Sequence, residues 1–81
     1  MNVRVQLFAV ARQLAGRDAI ELVLPEGATI SQLRQSLAAQ VPQLASVLPH
    51  VMFAVDSEYA DDDRTISPGA AVACIPPVSG G

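Results

Sequence analysis

Apolar and polar residues alternate through Val3-Arg4-Val5-Gln6-Leu7-Phe8-Ala9, the period of a strand with one buried face. Val3, Val5, Leu7 and Ala9 share that face; Arg4, Gln6 and the out-of-place aromatic Phe8 share the other. Residues 10–15 are good helix formers closed by Gly16, which predicts a helical turn or two with the glycine just past its end. Alternation resumes over residues 18–24, with Ile20, Leu22 and Leu24 inward. Pro25-Glu26-Gly27 then suits a type I turn with Pro25 at its second position. Thr29 and Gln32 have capping-box spacing, so a helix is predicted to start there. Ile30, Leu33, Leu37 and Val41 fall on one stripe about 80° wide, opposite Gln32, Gln35, Ser36 and Ala39. Val41-Pro42 ends that helix, and residues 43–48 predict a shorter, looser helical piece.

Val51-Met52-Phe53-Ala54-Val55 is apolar on both faces, the pattern of a buried strand. Asp56-Ser57 reads as a turn, Glu58-Tyr59-Ala60 as a short return strand, and Asp61-Asp62-Asp63 as a loop. Pro68-Gly69 is a further turn, and residues 70–75 are the last strand. Strand, strand, helix, strand, short strand, strand packs most economically as an α+β fold, one sheet with one main helix on one face. Alternation puts Phe8 and Ile75 on the other face, with Tyr59 a candidate to join them. An apolar cluster on an open sheet face marks an interface.

After Ile75 the pattern stops. Pro76 and Pro77 lack N–H groups and cannot continue a ladder, and Pro76 pushes Ile75 toward an extended conformation. Residues 1–75 read as the folded domain and residues 76–81 as a flexible tail, Pro76-Pro77-Val78-Ser79-Gly80-Gly81, reaching roughly 20 Å when extended. Gly80 and Gly81 carry no side chain, so the terminal carboxylate fits a channel too narrow for any other residue. That carboxylate is the candidate reactive group.

Eighty-one residues, 51% of them hydrophobic, make one small globular domain. No apolar run approaches a membrane span, no secretion signal opens the chain, and the single Cys74 rules out an internal disulfide framework. The cytoplasm is the expected location. A net charge of −3 without a basic cluster argues against nucleic acid and anionic membranes and permits a basic partner. All five cations are arginines, so few amines are present to capture an activated Gly81. His50 has no partner spacing and reads as an ordinary surface or packing residue. Cys74 lies among small apolar residues and reads as a buried hydrophobe with blunted reactivity. Asp56, Glu58, Asp61, Asp62 and Asp63 do not fit a calcium-loop register and read as a solvated loop, with no metal. No enzyme site is expected within this chain. No glycine loop cradles phosphate, so no cofactor is expected on this chain and any ATP must be bound by a partner. Gly81 then serves as a carrier: adenylated and given sulfur, it would present a thiocarboxylate.

The chain resembles the small, sulfur-carrying subunit of molybdopterin synthase, a ubiquitin-like protein of β-grasp fold. The resemblance covers the whole sequence and rests on Leu7-Phe8-Ala9, Ala11-Arg12-Gln13-Leu14-Ala15-Gly16, Leu33-Arg34, Phe53-Ala54-Val55 and the tail. It implies that a ubiquitin-activating-like adenylyltransferase uses ATP to adenylate Gly81, which then receives sulfur. It implies docking on a large catalytic subunit, as a heterotetramer, and delivery of sulfur to cyclic pyranopterin monophosphate to build the dithiolene that holds molybdenum. The family's hydrophobic docking positions map onto Phe8, Tyr59 and Ile75. The sequence departs from the family at Asp56, Ala70-Ala71 and Cys74, which bears on docking contacts and not on the tail. Alternatives are a sulfur carrier for thiamine thiazole synthesis, a ubiquitin-like protein modifier, and an interaction module with an inert tail.

Overall fold

The structure is a computed structural model and describes residues 1–77. The alternating segments become β1 (Asn2–Leu7) and β2 (Ala19–Val23), paired antiparallel with Val5 opposite Ile20. Between them lies α1 (Ala9–Ala15), closed by Gly16 at φ 72°, whose N–H donates to the Arg12 carbonyl. The capping box forms: Gln32 N–H donates to Thr29 Oγ1 and Thr29 N–H to Gln32 Oε1. It opens α2 (Ile30–Gln40), which buries Ile30, Leu33 and Leu37.

The chain returns through β3 (Met52–Val55), β4 (Glu58–Ala60) and β5 (Val72–Ile75). The strand order is β2-β1-β5-β3-β4. β5 runs parallel to β1 on one side and antiparallel to β3 on the other. This mixed sheet with α2 across one face is a β-grasp fold, as the resemblance implies. Val3, Val5, Leu7, Ile20, Leu22, Phe53, Val55, Val72 and Cys74 line the face toward α2 and are buried. Among the described residues no polar or charged residue is buried outright in this core.

Several local expectations are corrected. β1 stops at Leu7: Ala9 is exposed, with φ 51°, and begins α1 rather than ending the strand. A left-handed alanine is costly, so only the joint demands of strand and helix hold it there. The first turn is shifted by one residue. Ala28 N–H donates to the Pro25 carbonyl, and Gly27 takes φ 82°, the positive value a type II turn requires at its third position. The looser helical piece is two 3-10 turns, Pro42–Leu44 and Leu48–His50. β5 starts at Val72, because Ala70 N–H closes the Pro68-Gly69 turn onto the Ser67 carbonyl. β3 is buried as expected, except at Met52, which is 52% exposed. The Asp56-Ser57 turn forms as expected: both residues have positive φ, the two-residue turn that matches the twist of a hairpin.

Candidate functional site

Register decides what the face away from α2 carries. Met52 pairs with Ile75 and Ala54 with Ala73 across β3 and β5, while Tyr59 pairs with Ala54 across β4 and β3. Leu7 pairs with Cys74, so Phe8, still extended at φ −125°, follows beside Ile75. Phe8 N–H donates to the Cys74 carbonyl at 3.3 Å. One row therefore reads Phe8, Ile75, Met52, with Tyr59 diagonal to Met52. Phe8 is 42% exposed and Tyr59 66% exposed, while Ile75 is half-buried. A groove of about 340 Å³ opens at this end, lined by His50, Met52, Tyr59, Ile75, Pro76 and Pro77. Pro76 is buried and Pro77 exposed, so the described chain leaves the fold along the groove wall. Val78, Ser79, Gly80 and Gly81 lie outside the described residues.

The structure thus brings Tyr59 and Ile75 to one groove with the two prolines and sets Phe8 at the far side of Ile75. Sequence reasoning missed Met52 and His50. Met52 was legible as the alternation partner of Ala54 on the face away from Phe53. His50 carried no signal, because it joins the groove only through the 3-10 turn that ends there. The opposite end of the same face is more polar: Arg4 lies 3.7 Å from Glu21, and a second hollow of about 250 Å³ is lined by Arg4, Gln6 and residues 69–72.

The acidic residues Asp56, Glu58, Asp61, Asp62 and Asp63 are all exposed, as expected, and two of them also bond within the fold. Asp56 N–H donates to the Ala71 carbonyl at 2.8 Å, and its Oδ1 accepts from Ala71 N–H at 3.0 Å, fastening the β3–β4 turn to the start of β5. Asp62 Oδ1 accepts from Arg34 Nη2 at 2.8 Å. Glu58, Asp61 and Asp63 are exposed and leave the β4 edge beside Tyr59 negatively charged. Cys74, on the core side of β5, is fully buried. That burial pushes its thiol up to about 11, against a smaller opposing pull from the Arg34 guanidinium. A thiol held neutral in the core is a packing group and not a nucleophile.

Arg34 reaches from α2 beneath the groove end of the sheet. Its Nη1 donates to the Leu48 carbonyl and, at 2.9 Å, to the Val51 carbonyl. Its guanidinium carbon sits 5.0 Å from the centre of the Phe53 ring, within cation–π range.

Comparison with known proteins places this geometry. The ThiS family model matches residues 5–81. A molybdopterin synthase sulfur carrier subunit from Arabidopsis thaliana is 35% identical over 81 residues, covering 100% of this chain and 84% of the relative. One from Escherichia coli is 37% identical over 81 residues, covering 98% and 99%. Among solved structures, SAMP1 from Haloferax volcanii superposes with a TM-score of 0.88 at 25% identity, covering 100% of both chains. A Helicobacter pylori complex of subunits 1 and 2 of molybdopterin-converting factor contains a chain of the same fold, with a TM-score of 0.71, 20% identity and 100% of both chains covered. Among the described residues no helix is long and apolar enough to cross a membrane. The chain belongs to the ThiS family and is a relative of the sulfur carrier subunits of molybdopterin synthase.

Proposed function

We propose that this chain is the sulfur-carrying subunit of a molybdopterin synthase, with Gly81 as the carrier atom's anchor. The Gly81 carboxylate attacks the α-phosphate of ATP on an adenylyltransferase, pyrophosphate leaves, and a sulfur donor then displaces AMP to give the thiocarboxylate. On the large subunit that sulfur passes to cyclic pyranopterin monophosphate, and water restores the carboxylate. The work of this chain is positioning: it docks by an apolar face and holds the reactive end at a fixed reach. The observation that best supports the reading is the groove of Met52, Tyr59 and Ile75 at the root of the tail. Docking there aims the tail, because the surface that binds is also the surface the tail leaves.

A defined transfer assay tests it, combining thiocarboxylated chain, large subunit and cyclic pyranopterin monophosphate. Molybdopterin is expected only with the thiocarboxylate form. Deleting Gly81, or adding a residue after it, is expected to abolish transfer while the thermal unfolding midpoint stays unchanged; product from the deleted chain refutes the mechanism. The likeness to SAMP1, named small archaeal modifier protein 1 in a second Haloferax volcanii structure, favours a second reading as a protein modifier. Intact Gly81 attached to target lysines, found by mass spectrometry of tryptic peptides, would support that reading.

A further inference from the structure

We propose that Arg34 is a positioning residue for the groove, fixing from the helix side the three segments that form its walls. The part of this inference that concerns docking rests on the function proposed above. Arg34 does not line the groove. Its contacts nevertheless alternate with the groove residues along the chain. It holds the carbonyls of Leu48 and Val51, and the residues between and after them, His50 and Met52, are wall residues. It pairs with Asp62 in the loop just after β4, the strand that supplies Tyr59. It lies over Phe53, which pairs with Cys74, the residue before Ile75.

The guanidinium suits this task because it is a rigid fork that serves several acceptors at fixed angles. A lysine ammonium at the same place keeps the charge and reaches one or two of these acceptors but cannot span them. The segment of residues 48–51 is anchored in the core by the side chains of Leu48 and Val51, but few polar groups fix its backbone. It is a single 3-10 turn between α2 and the sheet, and its own backbone bonds run from His50 to Val47 and from Val51 to Leu48. The Arg34 side chain is only 22% exposed, and its Nε is buried without a partner. A buried donor left unpaired is tolerated because the other contacts fix the fork in that orientation.

Arg34→Lys in the full chain tests this, with Leu37→Val as a control that trims a buried apolar side chain of the same helix and removes no hydrogen bond to the groove segments. The direct readout is the NMR signals of the single His50 ring and the Met52 methyl. The functional readout is transfer by the molybdopterin synthase large subunit as carrier concentration is varied. Arg34→Lys is expected to move both signals. It is expected to raise the carrier concentration for half-maximal rate about tenfold, with the maximal rate within about twofold of the parent. Leu37→Val is expected to move neither. Unmoved signals with Arg34→Lys, or equal movement with Leu37→Val, overturn the proposal. Should Arg34→Lys fail to fold, Asp62→Ala removes the Nη2 partner alone and is expected to shift the same signals by less; unmoved signals there overturn it equally. Moved signals in a system where the unsubstituted chain supports no transfer refute the docking reading and uphold the control of groove shape.

Discussion

The two faces of the sheet are built from the same strands and differ in every property that matters for function. Toward α2, Val5, Leu7, Leu22, Phe53 and Cys74 are at most 2% exposed and packed as one cluster. Away from α2, the strands carry Arg4, Glu21 and Gln6 at one end and Phe8, Ile75, Met52 and Tyr59 at the other. Period-two alternation sorts residues between faces, but only the first face is required by folding. Apolar residues on the second face add little to the stability of the isolated chain, so their clustering beside the tail's exit is spent on something else.

Substitution should separate the faces by stability first. Phe53→Ala is expected to cost about 3–5 kcal/mol in denaturant unfolding, enough to threaten a domain of this size. Tyr59→Ala, one strand away and 66% exposed, should stay within about 0.5 kcal/mol. Equal losses would show that the outer face is part of the core.

Cys74 offers a pH-dependent version of the same contrast. Its thiol is raised from 9.0 to about 11 by burial, so the folded chain keeps a proton that the unfolded chain releases. Stability from this group is therefore complete below pH 9 and is lost as pH rises toward 11, by about 2–3 kcal/mol in all. Urea midpoints of the parent and of Cys74→Ala, compared from pH 8 to 11, should converge over that interval; parallel curves would contradict the burial. Phe8→Asp makes the opposite test. It is expected to weaken binding to a large subunit by tenfold or more, about 1.4 kcal/mol, while the thermal midpoint holds; a lost transition would move Phe8 to the folding side of the comparison. Thr29→Ala, which removes one half of the capping box, should cost about 1 kcal/mol of stability with binding unchanged, read by the same two measurements.

What could be read in advance follows the same division. Val3, Val5 and Leu7 announce their face by local period alone, and Thr29 with Gln32 announces a helix start by spacing alone. Residues 51–55 could not be read that way: an all-apolar stretch looks the same whether its second face is covered or open, and Met52 is open because β4 ends opposite Phe53 and leaves Met52 with Ile75 alone as a strand partner. The groove depends on β5 lying between β1 and β3, a pairing over more than 60 residues of chain between Leu7 and Cys74 that no local pattern encodes. Ala9 was misread because its left-handed φ is imposed by a strand and a helix meeting within two residues. The tail motif was legible in the sequence, whereas residues 78–81 lie outside the described structure.

The central place of β5 also bears on how the molecule is made. β1 with β2, and β3 with β4, are two-stranded units, each marginal alone, and β5 is the piece that joins them. It is also the last strand in chain order. A nascent chain therefore has no continuous sheet until the segment next to the tail has been synthesised, and the long-range β1–β5 closure is expected to be the slow step of folding. A chain cut short before residue 72 is therefore expected to lose its sheet together with its tail, and to be a substrate for proteolysis rather than a folded decoy competing for the same partner.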